Sequence, residues 1–213
     1  MIVEEVMRRE VWTLSPEDLI HDAIELMNAK TIRHIPIIDS NRHVVGIISD
    51  RDIRGALSID SINSRTRHTS IQEMMTEDVI TAHPLDFVEE VASLFYENRI
   101  SCIPIVSDEK LVGIVTETDI LYTFLQLTGA LQPGSKIEVK VPHRSGMLAK
   151  VTAIISEHNV NIQSVLVNPY QQNESYKILV FRVQTMNPTA IVQTLKDRGF
   201  DVLLPYTWEL QNE

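Results

Sequence analysis

The sequence predicts an α+β protein in which a duplicated unit packs as a pseudo-symmetric pair and a ferredoxin-like βαββαβ domain follows. Two observations support this fold class. Residues 46–52 read GIISDRD, and the pattern recurs as GIVTETD at residues 113–119. The order of helix-like and strand-like patterns then changes after Pro133 and Gly134, a dipeptide that interrupts regular structure. Because an internal repeat is one supersecondary unit built twice, its copies are expected to pack together.

The repeated unit is predicted to run strand, helix, strand, strand, helix in each copy. Residues 11–13 and 79–81 are typical of short strands, and residues 15–18 (SPED) of a helix start with Ser at the cap and Pro at the first helical position. The helix that follows has an apolar face in both copies. That face consists of Leu19, Ile20, Ala23, Ile24, Leu26 and Met27, and in the second copy of Phe87, Val88, Val91, Ala92, Leu94 and Phe95.

A β-hairpin and a second helix complete each copy. The predicted strands are 35–38 and 44–48 in the first copy and 103–106 and 111–115 in the second; the closing helices begin near Asp50 and span 118–131. A polar linker is predicted at 58–69. The expected domain boundaries are 1–68 and 69–131 for the two copies, 132–135 for a linker, and 136–213 for the last domain.

In the last domain, strand-like patterns (period 2) and helix-like patterns (period 3.6) follow one another in a different order. Strands are predicted at 136–141, 160–167, 176–183 and 200–204, and helices at 147–155 and 187–196. This order is βαββαβ, which gives a four-stranded sheet with two helices.

Composition excludes several function classes. The chain has 213 residues, 44% of them hydrophobic, which suffices for ordinary cores. Its formal net charge is −10, with 19 Lys and Arg against 29 Asp and Glu, so a nucleic-acid partner is not expected, because phosphate neutralisation needs clustered cations. No apolar run reaches the ~18 residues of a membrane helix, and no leader pattern opens the sequence. We therefore expect a cytoplasmic protein with no membrane partner.

The two heptapeptides, each preceded by IPI at 35–37 or 103–105, resemble the hallmark of cystathionine-β-synthase (CBS) domains, and two copies in register make a tandem pair, or Bateman module. The last domain resembles an ACT domain. This domain order is similar to that of the acetoin-utilisation CBS–ACT proteins of bacilli. The resemblance implies a non-catalytic, homodimeric regulatory protein in acetoin or butanediol catabolism. It implies no required cofactor, and AMP, ADP, ATP or S-adenosylmethionine as regulatory ligand between the CBS domains.

The residues themselves suit such a ligand. One carboxylate can accept hydrogen bonds from both hydroxyls of a ribose, and Asp52 and Asp119 end the two motifs. Ser49 and Thr116, at the strand-to-helix corners, can donate to a ribose or phosphate oxygen near free helix amides. Another interpretation stays open, because Ser-x-x-Asp and Thr-x-x-Asp before a helix are also capping boxes that need no ligand.

The copies differ immediately before the IPI sequence of the first hairpin strand. The first copy has Arg33 and His34 where the second has Ser101 and Cys102. By the resemblance a basic residue here contacts phosphate, so we expect one charged nucleotide site per chain. Alternatively, Arg33 is a solvated surface residue. The resemblance also assigns adenine binding to Thr13 and Thr81 with the backbone around Ile35 and Ile103.

In the last domain, residues 142–148 (PHRSGML) match the ACT loop that follows the first strand. The resemblance places an amino-acid ligand or a subunit interface at Gly146, Met147, Leu148, Asn161 and Ile162. The acidic residue usual before the glycine is absent, and His143 and Arg144 stand there instead. Two roles stay open: an amino-acid sensor with the CBS pair as scaffold, or a dimerisation domain.

Catalytic patterns are missing from the sequence. The seven histidines have no metal-ligand spacing, and Cys102, next to a strand proline, is predicted to be core. We therefore expect no enzyme activity and no metal site. The expected partners are an adenine nucleotide, a second copy of the chain and an unidentified regulated protein.

Overall fold

The computed structural model describes residues 1–59 and 68–205. Most of the predicted linker, residues 60–67, lies outside the described part of the chain. The chain divides into two compact units, Met1–Leu121 and Tyr122–Glu213. The first unit contains the two repeats, and each repeat has an apolar core of its own.

Each repeat is built from a helix, an antiparallel two-stranded hairpin and a second helix. The first repeat contains α1 (Ile20–Lys30), β1 (His34–Ile38), β2 (Val44–Ser49) and α2 (Asp50–Ile59). The second contains α3 (Val88–Asn98), β3 (Cys102–Ser107), β4 (Lys110–Thr116) and α4 (Glu117–Leu127). The predicted helices and hairpins are therefore present, with bounds that differ by a few residues.

The prediction of a helix start at residues 15–18 was wrong. These residues form a turn in which the Asp18 carboxylate accepts the Ser15 amide at 2.7 Å, and α1 begins five residues later. The capping carboxylate is that of Asp22, which accepts the Leu19 amide at 2.9 Å. Asp18 and Asp22 are thus both suited to cap the start of α1. With Asp22 as the cap, the helix begins at Ile20, which is fully buried in the core.

The predicted strands at 11–13 and 79–81 were also wrong. In each copy a single residue just after the predicted strand, Leu14 or Ala82, forms a bridge to the first strand of the hairpin. The Leu14 amide lies 3.4 Å from the Pro36 carbonyl, and the Leu14 carbonyl lies 3.0 Å from the Ile38 amide. The next bond of a parallel ladder would require an N–H on Pro36, which proline lacks. Pro104 limits the pairing of Ala82 in the same way. The prolines of the repeat therefore prevent a third strand.

The segments that precede each repeat, residues 1–10 and 69–78, are exchanged; we call them the lead-ins. Val3 and Met7 pack in the core of the second repeat, whereas Ile71 packs in the core of the first. Backbone pairs fix the exchange: Arg8 with Ile114 at 2.9 and 3.0 Å, and Thr76 with Ile47 at 2.9 Å in both directions. Each lead-in consequently lies beside the motif of the other repeat.

The exchange explains the glycine of each motif. A Cβ on Gly113 would lie 2.6 Å from the Met7 sulfur and 3.2 Å from the Arg8 carbonyl oxygen. A Cβ on Gly46 would overlap the Met75 sulfur. The repeated glycine therefore makes room for the lead-in methionine of the other repeat.

The second unit contains a four-stranded antiparallel sheet in the order β6-β7-β5-β8. Its elements are β5 (Ser135–Pro142), α5 (Met147–Glu157), β6 (Ile162–Pro169), β7 (Tyr176–Val183), α6 (Thr189–Asp197) and β8 (Asp201–Leu204). Residues of both helices, such as Val151 and Leu195, form one core with the sheet residues Val139 and Phe181. The predicted βαββαβ order is confirmed.

Candidate functional site

A cavity of about 600 Å³ lies between the two repeats, within the unit Met1–Leu121. We call it the inter-repeat cavity. The first repeat contributes its lead-in residues 8–12 and the end of α1 with the following turn, residues 30–34. The second contributes Ser101, Ile114 and residues 116–118 at the β4–α4 corner. A ligand bound here would contact both repeats.

Basic side chains dominate the lining. They belong to Arg8, Arg9, Lys30 and Arg33, and the carboxylates to Glu10 and Glu117. Arg33 is exposed and has no ion-pair partner among the described residues. Because the whole chain carries a net charge of −10, this local excess of positive charge favours an anionic ligand.

The cation of Lys30 also interacts with an aromatic ring in this wall. Its Nζ lies 3.8 Å from the centroid of the Trp12 ring, which is 37% exposed. This cation–π contact orients both side chains at the mouth of the cavity.

Asp119 lies just behind the lining at the β4–α4 corner. Its Oδ2 accepts the Thr116 amide at 2.9 Å and the Thr116 hydroxyl at 2.6 Å, which is the geometry of a helix cap. Its Oδ1 accepts Arg8 Nε at 3.0 Å and Nη2 at 2.8 Å. The side chain of Asp119 is only 12% exposed, so Arg8 covers the oxygen that a ribose would use.

His34 and Ser101 connect the two repeats at the cavity wall. His34 Nε2 lies 3.0 Å from the Ser101 hydroxyl. Burial, followed by the neighbouring charge of Arg33, lowers the pKa of His34 below its usual value. The imidazole is therefore neutral at pH 7 and can either donate to or accept from a ligand.

The Asp52 corner has the same cap but different surroundings. Asp52 Oδ2 accepts the Ser49 amide at 2.9 Å and the Ser49 hydroxyl at 2.6 Å. Asp52 is exposed, and neither it nor Ser49 lines the inter-repeat cavity. The capping interpretation thus describes both corners; the Asp119 corner supplies lining residues itself, whereas the Asp52 corner adjoins Arg33, whose carbonyl accepts the Asp50 amide at 2.9 Å.

The residues predicted to hold adenine are not brought together with Asp119. Thr13 and Thr81 line two separate shallow cavities of about 450 and 410 Å³. The side chains of Ile35 and Ile103 are fully buried, so only their backbone could meet a ligand.

Sequence reasoning missed Arg8, Trp12 and Lys30. A signal was present, because the second repeat has Thr76 where the first has Arg8, and Asn98 where the first has Lys30. What sequence could not reveal is that Arg8 approaches the motif of the other repeat.

The predicted ACT residues fall at opposite ends of the second sheet. Gly146 precedes α5 with a φ of 80°, Met147 is buried and Leu148 is 41% exposed, all beyond the Pro142 end of β5. Ile162, with Asn161 beside it, pairs with Val183 at the other end, opposite Ser135. An eight-residue strand separates these ends by roughly 24 Å. One chain therefore does not assemble all five residues into one site.

Neither a metal centre nor a reactive thiol is evident in residues 1–59 and 68–205. No group of three or more His, Cys, Asp and Glu in this part is placed to hold an ion. No helix there is long and apolar enough to cross a membrane. Cys102 is 5% exposed, and burial raises the pKa of its thiol to about 12, which confirms the prediction that it is a core residue.

The fold defines a class: a pair of α+β repeats with a cavity between them. The chain belongs to the CBS-domain family, whose profile matches residues 3–59 and 71–125. The ACT-domain profile matches residues 135–200, so the chain is a tandem CBS pair followed by an ACT domain. Both kinds of domain are regulatory modules.

Three known proteins illustrate the similarity. The CBS domain pair of protein MJ0100, solved with 5′-methylthioadenosine and S-adenosyl-L-methionine, is 34% identical with a TM-score of 0.53, and the match covers 58% of this chain and 95% of that one. A Vibrio cholerae protein provisionally named an acetoin utilization protein is 34% identical with a TM-score of 0.54, over 62% of this chain and 98% of that one.

The third is the inosine-5′-monophosphate dehydrogenase of Methanocaldococcus jannaschii, 37% identical over 119 residues, which are 55% of this chain and 22% of the enzyme. The chain spans between 22% and 43% of the length of the first curated relatives it matches.

Proposed function

We propose that the CBS pair binds one adenine nucleotide per chain in the inter-repeat cavity and that the protein acts as a non-catalytic, nucleotide-sensing regulator. One observation carries the proposal. Four basic side chains and the Thr116–Asp119 corner surround a cavity of about 600 Å³ that both repeats line. The MJ0100 pair, solved with two adenosine compounds, supports the class of ligand.

The charges favour a nucleotide over S-adenosylmethionine. A phosphate near Arg33 would gain charge-assisted hydrogen bonds, whereas a sulfonium would place positive charge beside Arg33, which has no carboxylate partner in the described residues. In this pose the ribose hydroxyls lie at Asp119 and Thr116, and the phosphates extend towards Arg33 and His34. AMP, ADP and ATP would each present a phosphate to these two residues.

Arg8 gives the site a built-in competitor. Its guanidinium donates two N–H groups to Asp119 Oδ1, as the two hydroxyls of a ribose would. A nucleotide must displace these bonds, and the released Arg8 is then available to a phosphate. The ligand would thereby exchange bonds within this corner for contacts to itself, and because it would also contact residues 30–34 of the first repeat, it would shift the repeats by its differential affinity for the two arrangements.

Calorimetry on matched variants tests the proposal. ATP, AMP and S-adenosylmethionine are titrated into the full chain and into Asp119→Asn and Asp52→Asn variants, which alter equivalent carboxylates at the two corners. We expect one nucleotide per chain, weaker binding of S-adenosylmethionine, and a loss of at least about tenfold in affinity for Asp119→Asn alone. Equal losses in both variants, or no nucleotide binding, would refute the assignment.

The wider role follows the domain order. The resemblance to CBS–ACT proteins and the Vibrio cholerae neighbour support a role in acetoin or butanediol catabolism, with the protein acting as a homodimer on a regulated partner protein in the cytoplasm. The alternative is an amino-acid sensor, or a purely dimerising ACT domain, with the CBS pair as scaffold. A thermal-shift panel of nucleotides and amino acids separates these roles, and sedimentation equilibrium gives the oligomeric state.

A further inference from the structure

The unit Tyr122–Glu213 has a cavity of its own, of about 800 Å³. It lies where the end of β5, the first turns of α5 and the turn from α6 into β8 meet, and we call it the β8-side cavity. Lys140 comes from β5, Lys150 from α5, and residues 198–201 from the turn into β8. It therefore lies along β8, on the opposite edge of the sheet from β6 and Asn161.

Its lining is strongly basic. The charged side chains are those of Lys140, Arg144, Lys150, Arg198 and, as the single carboxylate, Asp201. The whole chain has a net charge of −10, whereas the lining of this cavity has four cations and one carboxylate and is therefore positively charged.

Two of the four cations are held in place by carboxylates. Arg198 donates to both oxygens of Glu157, at 2.9 and 2.6 Å, and Lys140 lies 2.6 Å from Asp201. The other two, Arg144 and Lys150, are exposed and have no carboxylate partner in the described residues. Their charge is therefore available to a ligand.

The rest of the wall is apolar. Met147 and Ile154 are 7% and 3% exposed and belong to the core, and Phe200 packs against the same core. A cavity with a carbon-lined floor and cations at its rim suits a small organic anion rather than a hydrated inorganic ion alone.

An amino acid fits this cavity poorly. Its ammonium would need a carboxylate, but residues 142–146 contain none, and Asp201 already accepts Lys140. The ammonium would instead lie among four cations, and like charges in a partly enclosed site repel one another.

We propose that the β8-side cavity binds a small organic anion with at least two negative charges and no ammonium group, either a dicarboxylate or a phosphate monoester. Arg144 and Lys150 supply the free cations, while Lys140 and Arg198 add oriented charge. This inference is independent of the nucleotide proposed for the CBS pair, and the ACT domain would then report a second, smaller metabolite.

Calorimetry at constant ionic strength tests this proposal, with succinate, glycerol 2-phosphate and L-alanine as probes on the full chain. The test variant is Arg144→Ala/Lys150→Ala, and the matched control is Lys177→Ala/Lys196→Ala, which removes two cations of the same unit outside the cavity. An Arg33→Ala variant reports any binding of the probes in the inter-repeat cavity.

We expect saturable binding of succinate or glycerol 2-phosphate, and the tighter of the two identifies the ligand class. The test variant should lose at least about tenfold in affinity, while the control and Arg33→Ala variants keep it. Tighter binding of L-alanine, no saturable binding of either anion, or an equal loss in the control variant would overturn the proposal.

Discussion

The Asp119 and Asp52 corners share one hydrogen-bonding pattern and differ in what surrounds it. In both, the carboxylate accepts an amide at 2.9 Å and a hydroxyl at 2.6 Å from the residue three positions earlier. Arg8 of the exchanged lead-in bonds Asp119, and Lys30 and Arg33 line the same cavity, whereas the aligned lead-in residue beside the Asp52 motif is the uncharged Thr76. The recurrent motif thus builds the helix start, and the variable positions decide which corner is suited to an anion.

Charge reversal at the phosphate end should have the largest effect on this comparison. Arg33→Glu places a carboxylate where the phosphates are expected, and it should weaken ATP binding by roughly 100-fold, whereas Arg54→Glu, in the α2 helix that follows the Asp52 corner, should leave it within about twofold. Calorimetry measures both. Comparable losses would mean that the two corners do not differ as proposed.

The glycines offer a test of the exchanged lead-ins. Gly113→Ala should destabilise the CBS pair by about 1–3 kcal/mol, because the new Cβ meets the Met7 sulfur and the Arg8 carbonyl. Gly46→Ala should cost less, because the new Cβ there meets only the flexible side chain of Met75. Gly55→Ala is the control, because a Cβ there meets nothing within 4 Å. Urea denaturation reports the differences, and a Gly113→Ala protein as stable as the control would contradict the packing described here.

Removing the capping hydroxyl at either corner should lower the stability of the protein by a similar amount, but only one of the two removals should weaken nucleotide binding. Ser49→Ala and Thr116→Val should each lower the free energy of unfolding by about 1 kcal/mol, because each removes a cap. Only Thr116→Val should also weaken nucleotide binding. The same two variants, measured by urea denaturation and calorimetry, therefore separate the structural role of the motif from its binding role.

Arg8→Ala should strengthen the binding of adenosine, which has no phosphate, by about two- to fivefold, since the partly exposed Arg8–Asp119 pair is worth about 1 kcal/mol and no longer competes with the ribose. The gain for ATP should be smaller, because Arg8 would otherwise attract its phosphates. Arg9→Ala, which breaks the 2.8 Å pair with Glu4 instead, is the control. Weaker adenosine binding by the Arg8 variant would show that Arg8 holds the ligand instead of competing with it.

The smallest effect concerns His34 and pH. Its pKa is lowered in the folded protein, so the unfolded chain binds more protons, and stability should fall as the pH drops from the unfolded pKa of 6.5 towards the folded value. His34→Gln should flatten this part of the stability profile. Urea denaturation across this pH range measures the stability profile of each protein. Identical profiles for His34→Gln and the unmodified protein would contradict the prediction.

Local patterns predicted much of the fold. The hairpins follow from two apolar β-rich runs around polar turns, and the βαββαβ order from the alternation of periods 2 and 3.6. The false strand at 11–13 has β propensity, but its pairing depends on the missing N–H of Pro36. The start of α1 was misplaced because Asp18 and Asp22 both suit a cap, and burial of Ile20 decides between them.

The candidate site was predictable only in part. Comparison of the two copies selected four of its residues: Arg33, His34, Thr116 and Asp119. The sequence did not indicate that Arg33 of the first copy lines the same cavity as the motif of the second copy. The exchange of lead-ins is a non-local contact, fixed by Met7 beside Gly113, and it alone brings Arg8 to Asp119. Comparison of the lead-in residues between copies would have selected Arg8, although not its partner.

The central claim is that a single nucleotide occupies the Asp119 corner, and a crystal structure of the full chain grown with AMP tests it most directly. We expect one AMP per chain, with its ribose hydroxyls on Asp119, its phosphate near Arg33, and Arg8 withdrawn from Oδ1. AMP bound at Asp52 instead, or an inter-repeat cavity without AMP at saturating concentration, would contradict the account.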